Sequence, residues 1–107
     1  MKKDLTICEL NETYGGLLTE RQRSMVESYY DYDLSLAEIA QNEGVTRQAV
    51  HDAIVKAVDQ LNMYESNLGI VKSRESIKSG LLQILNEMAQ GNMIKAQALV
   101  DEILRKI

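Results

Sequence analysis

The sequence predicts an all-α fold, a helix-turn-helix bundle with a long recognition helix and a C-terminal helical hairpin, on three observations. Proline is absent and only 6 glycines occur in 107 residues, so few positions oppose a helix. Apolar residues recur three and four apart along nearly the whole chain, the period of a helix face, and no strand-like alternation stands out. Phe and Trp are missing, which leaves a core of Leu, Ile, Val, Met and Ala with Tyr as the only aromatic. The length fits one compact protein near the small end of the usual range, divided into residues 1–70 and 71–107.

The elements follow in order. From about Leu5 to Tyr14, Ile7, Leu10, Tyr14 and Leu17 fall on one stripe, and Gly15-Gly16 stop the helix. Thr19 with Gln22 forms a capping box that opens a second helix to about Tyr30. Its inner face is Met25, Val26, Tyr29 and Tyr30, with Arg21 and Arg23 outward. Asp31-Tyr32-Asp33 is a short polar connection. Its two aspartates lack the glycine and the distal glutamate of a calcium loop, so a solvated turn is expected.

Leu34 to Val55 carries the densest signals. Ser35 with Glu38 is a second capping box, Gly44 can take the left-handed conformation that ends a helix, and Thr46 is the next N-cap. Ile39, Ala40, Val45, Val50 and Ala53 or Ile54 fall where two short helices crossing steeply must touch, and Ala40 is small where they approach. Together these define a helix-turn-helix. Its second helix does not stop at the minimal motif. Val50, Ile54, Ala57, Leu61, Tyr64 and Leu68 continue at alternating four and three spacing, so it runs from Arg47 to about Asn67 and ends at Gly69.

Ser73 is expected to cap a fifth helix carrying Ile77, Leu81, Ile84, Leu85 and Met88, with a turn at Gly91-Asn92. The last helix sets Met93, Ala96, Val100, Ile103 and Ile107 on one stripe, flanked by Leu99 and Leu104. The two form an antiparallel hairpin with more apolar surface than they can bury on each other. The excess is expected to meet the long helix or a second subunit.

Composition excludes several function classes. The start MKKDLTICEL is basic and then mildly apolar, but Thr6 and Glu9 interrupt the run, so no signal peptide is expected. No segment approaches the length of a membrane span, and no membrane partner is expected. The single Cys8 has no intramolecular partner and reads as a buried, inert thiol in a reducing, cytoplasmic protein. Cys8 and His51 stand alone in their types, and no phosphate loop, zinc spacing or paired-carboxylate pattern occurs. An enzyme is not expected, nor a cofactor or metal site.

The formal net charge of −4 argues against non-specific adhesion to polyphosphate. The acid is concentrated early: residues 1–45 carry nine acids and four bases, residues 46–107 seven acids and eight bases. The candidate nucleic-acid-binding residues are Arg47, Gln48, His51 and Lys56, on the exposed side of the second motif helix. Arg can read guanine and Gln adenine through paired hydrogen bonds, and Lys56 can reach a phosphate. Asp52 and Asp59 on the same helix oppose this, leaving Thr46 to Leu61 without net charge.

The run LLTERQRSMVESYYDYDLSLAEIAQNEGVTRQAV resembles region 4 of bacterial sigma factors. The likeness lies in its LT..Q helix, its LSL.EIA and its GVTRQAV recognition helix. More closely, Leu5 to about Leu68 resembles the YlxM family, small helix-turn-helix proteins of Gram-positive bacteria. The points of match are Tyr14-Gly15, Leu18-Thr19 with Gln22, Tyr29-Tyr30, Asp33-Leu34-Ser35-Leu36, Glu38-Ile39-Ala40 and Arg47-Gln48-Ala49-Val50. After about Ile70 the match fades.

The resemblance implies a regulator of the signal recognition particle pathway, because the family's genes sit beside those for the particle's GTPase and its receptor. The exposed candidates on the second motif helix, the excess apolar stripe and the acidic balance leave three uses of the chain expected as alternatives. It binds DNA or RNA through the motif; it binds the particle's GTPase with the motif as scaffold; or it forms a homodimer whose paired recognition helices read two half-sites.

Overall fold

The computed structural model describes residues 4–107; the basic start at Lys2 and Lys3 lies outside the described residues. Six α-helices are present among them: α1 (Thr6–Tyr14), α2 (Glu20–Tyr30), α3 (Leu36–Glu43), α4 (Arg47–Leu68), α5 (Ile70–Ala89) and α6 (Met93–Lys106). A 3-10 turn, Gly15–Leu17, follows α1. The chain falls into two compact units, one ending at Val71 and the other spanning Lys72–Ile107.

In the first unit α1, α2 and α3 all pack on α4. The reason is the four-three-four spacing of Val50, Ile54, Ala57 and Leu61, which puts four apolar side chains on one face of α4, each 0% exposed. Around them lie Ile7, Leu10 and Tyr14 from α1, Met25, Val26, Tyr29 and Tyr30 from α2, and Ile39 and Ala40 from α3. Each fully buried aliphatic side chain contributes about 1.5–3 kcal/mol relative to exposure. Tyr29 and Tyr30 meet edge to face, ring centres 5.0 Å apart. Asn11 is the polar exception, buried on α1 and donating from Nδ2 to the Arg23 carbonyl at 3.3 Å.

The helix starts are closed by local hydrogen bonds. Thr19 Oγ1 accepts from the Gln22 backbone N–H while Gln22 Oε1 accepts from that of Thr19, each at 3.1 Å. Ser35 and Glu38 repeat the exchange, again at 3.1 Å. Thr46 Oγ1 accepts from the Ala49 N–H at 3.0 Å. Gly44 takes φ 67° and ψ 34°, and its N–H caps the Ala40 carbonyl. A Cβ there would meet no neighbour, so Gly44→Ala tests backbone conformation alone. It is expected to cost about 1–2 kcal/mol, read as a lower urea midpoint with an unchanged slope.

Several local expectations need correction. Leu17 is exposed, because the 3-10 turn carries it out of the α-helical phase that would have kept it on the stripe. Leu68 is exposed at the last residue of α4. Ile54, not Ala53, is the core residue, Ala53 being half-buried at its margin. Cys8 is half-buried rather than buried, and a hydrogen bond to Asp31, with burial second, pushes its thiol up to about 11. A thiol so held stays protonated and unreactive near neutrality.

Ser73 is not a cap, since α5 already begins at Ile70. Gly69, with φ 61°, joins α4 to α5 in a single residue. The two first amides of α5 are met from elsewhere: the Ile70 N–H donates to the Tyr14 hydroxyl and the Val71 N–H to Glu65 Oε1, both at 3.0 Å. The Tyr14 hydroxyl in turn donates to Glu65.

The second unit holds α6 and most of α5, turning at Gly91, where φ is 78°. Its helices come into close contact at Gly80, where an added Cβ would stand 2.6 Å from Ile103 Cδ1. Only Ile84 and Ala96 are buried there. Met93, Val100 and Ile107, expected on the inner stripe, are exposed, because each of two helices can offer its neighbour only a narrow line of contact.

Candidate nucleic-acid interface

The motif is built by α3, the turn at Gly44 and the start of α4. The Val45 N–H donates to the Ala40 carbonyl at 3.0 Å, closing the turn, and the small buried Ala40 leaves room for the second helix. Thr46 then fixes where α4 begins, which exposes its first turn and directs unpaired N–H groups outward. That end of a helix favours negative charge.

Arg47, Gln48 and His51 line one shallow hollow there, together with Leu36 and Thr46. Gln48 Nε2 donates to Asp52 Oδ1 at 2.8 Å, and His51 Nδ1 lies 3.3 Å from the same oxygen. Asp52 thus gathers two of the candidate readers and occupies the amide donor that Gln48 would offer a base. Arg47 and Lys56 are exposed and have no ion-pair partner among the described residues.

The four candidates do not share one face. A helix turns by about 100° per residue, so Lys56, nine residues after Arg47, lies half a turn away from it. Opposite the buried stripe of α4, the middle of the exposed side runs through Gln48, Asp52, Val55 and Asp59. Arg47 and His51 therefore flank this ridge on one side and Lys56 on the other, with two carboxylates between them. The sequence reading missed Leu36 and Thr46 as walls of the hollow, and it missed Asp52 as the hydrogen-bonding centre. The four-residue spacing of Gln48 and Asp52 was the available signal for the second.

A neighbouring hollow, lined by Glu20, Arg21, Ser24 and Glu43, is partly closed by an ion pair of 3.9 Å between Arg21 and Glu43. Both side chains are well solvated, so the pair adds little stability. Among the described residues no group of three or more His, Cys, Asp or Glu could hold a metal ion. No helix among them is long and apolar enough to cross a membrane.

Comparison with known proteins bears on the motif as a whole. A family model described as "Putative helix-turn-helix protein, YlxM / p13 like" (UPF0122) matches residues 1–103. A UPF0122 protein of Desulforamulus reducens is 40% identical over 113 residues, covering 99% of this chain and 97% of that relative. A UPF0122 protein of Symbiobacterium thermophilum is 42% identical over 90 residues, covering 84% of this chain and 80% of the relative. A third, from Clostridium botulinum, is 40% identical over 90 residues, covering 84% and 83%. With six helices among the described residues, a helix-turn-helix formed by α3 and α4, and a match over nearly its whole length, the chain belongs to the UPF0122 family of YlxM/p13-like helix-turn-helix proteins.

Proposed function

We propose that this protein is a cytoplasmic, nucleic-acid-binding regulator of the signal recognition particle pathway, acting as a homodimer and touching DNA or RNA with the first turns of α4. The observation that carries the reading is the gathering of Arg47, Gln48 and His51 around one open hollow at the start of the second motif helix. Residues 1–70 carry this contact, and residues 71–107 serve protein contacts. Membership in a helix-turn-helix family supports nucleic-acid binding; the link to the particle rests on the resemblance to YlxM proteins. The role is regulatory rather than catalytic.

In this reading Arg47 meets a guanine edge or a phosphate, Gln48 releases Asp52 to pair with a base, and Lys56 holds a phosphate from the opposite flank. Asp52 and Asp59 on the ridge keep the non-specific component small. Binding should therefore show a shallow salt dependence, with log K falling against log salt at a slope of about −2 for two phosphates neutralised. Fluorescence anisotropy against random duplex DNA, the gene's own upstream region and the particle's RNA measures this slope. Arg47→Ala and Lys56→Ala are each expected to reduce it by about one. Affinities unchanged in both variants for all three polymers would remove this surface as the reader.

The acidic ridge favours a second reading, in which the motif is scaffold and the protein binds the particle's GTPase. Absence of nucleic-acid binding at low salt, with retained binding of the GTPase, would decide for it.

A further inference from the structure

The hairpin of α5 and α6 has two unlike sides. One carries a hollow whose lining includes the charged or amide side chains of Gln83, Asn86, Glu87, Lys95 and Glu102 together with Leu99. At about 100° per residue, the opposite side presents Leu81, Leu85 and Met88 from α5 beside Met93, Val100 and Leu104 from α6. These six are between 39% and 62% exposed in the whole chain.

We infer that this side is where two copies of the chain meet, the two hairpins stacking face to face into an antiparallel four-helix bundle. The inference rests on the homodimer proposed above and names its interface; it does not depend on nucleic-acid binding.

Area supports a second copy as the occupant. The six side chains leave on the order of 600 Å² of apolar surface in water, the upper end of what a monomer exposes. With a polar rim this approaches the about 800 Å² per partner that a standard interface buries. Size supports it as well. Lys72–Ile107 is shorter than the about 40 residues below which a unit needs a disulfide, a metal or a partner chain, and its buried side chains are only Ile84 and Ala96. Pairing supplies the missing half of a four-helix core.

Charge agrees with one arrangement. A two-fold axis parallel to the helices sets α5 against the α6 of the second copy, running antiparallel. Lys78 and Asp101 stand at the outer margins of the apolar side, on α5 and α6 respectively, and both are exposed. The contact of Gly80 with Ile103 fixes the levels of the two helices. On that register Lys78 and the partner's Asp101 lie four residues, about 6 Å, apart along the axis, within reach of a lysine side chain. Each copy contributes one such pair.

The test is the oligomeric state of the full chain by sedimentation equilibrium and light scattering at micromolar concentration. The wild type is expected to be a dimer and Leu85→Glu a monomer with an unchanged helical spectrum, since Leu85 is exposed and Glu is as good a helix former. Lys78→Glu, which places acid against acid, is expected to raise the dimer Kd about tenfold, and Lys78→Glu with Asp101→Lys to restore it. A wild-type chain that stays monomeric overturns the homodimer altogether. A dimer that Leu85→Glu and Lys78→Glu leave equally tight keeps the homodimer but overturns this face.

Discussion

Ile54→Ala is expected to lower the unfolding free energy by about 2–5 kcal/mol, with Leu61→Ala in the same range. Ile54 is 0% exposed and sits mid-way along the stripe on which α1, α2 and α3 all dock. Removing its branched end takes apolar surface out of contact and leaves a cavity that neighbours on three helices cannot fill at once. Domains of this size are stable by about 5–15 kcal/mol, so the loss is a large share of the whole. Urea unfolding followed by far-ultraviolet circular dichroism measures it. Ile94→Ala is the comparison, because Ile94 is 86% exposed and its truncation should change stability by no more than about 0.5 kcal/mol. Equal midpoints for the two variants would show that α4 is not the organising helix.

Tyr14→Phe should destabilise by about 1–3 kcal/mol, although it deletes a single oxygen. That oxygen donates to Glu65 and accepts from the Ile70 N–H, and Tyr14 is almost wholly buried. The ring would remain, still tilted against Tyr64 with centres 6.1 Å apart, so the loss reports hydrogen bonding rather than packing.

The same oxygen predicts a pH dependence. Burial first, and the hydrogen bond to Glu65 second, raise the Tyr14 pKa above its ordinary 10.0. A hydroxyl raised in the folded state holds its full stabilisation below about pH 10 and loses it as pH climbs through the folded value. Tyr30, raised chiefly by burial, and Tyr32, raised chiefly by a hydrogen bond to Glu27, act in the same direction. The three tyrosines should therefore begin to cost stability only above about pH 10, following the Cys8 thiol, whose rise from 9.0 to about 11 brings its own loss in from about pH 9. Tyr14→Phe should be weaker at neutrality yet decline less on the alkaline side. Denaturant midpoints taken across that range, beside the tyrosinate absorbance, give the comparison. A Tyr14→Phe variant that matches Tyr32→Phe at every pH would rule out the capping role.

What the sequence revealed and what it hid divide along the distance between partners. Thr19 with Gln22, Ser35 with Glu38, Thr46 with Ala49, and the stops at Gly44 and Gly69 all act within a few residues, and each stands where local rules put it. The stripe on α4 obeys a period, so it too was legible. The start of α5 was not, because the groups that finish its first turn include Tyr14, far upstream. Nor was the approach of Gly80 to Ile103, which depends on the register of two helices around a turn. The separation of Arg47 from Lys56 is a different case. Nine residues are two and a half turns of helix, so their opposite placement was already present in the numbering.

Tyr14 and Glu65 also decide where the chain can be divided. The body that contains the helix-turn-helix does not end at the bend; it reaches past Gly69 to take in the first two amides of the next helix. Severed at Leu68, it would keep a buried hydroxyl and a half-buried carboxylate that had lost these backbone donors, and would be weakened by the cut itself. Severed a turn beyond Val71, it keeps both bonds, and its behaviour then reports only what the hairpin had contributed.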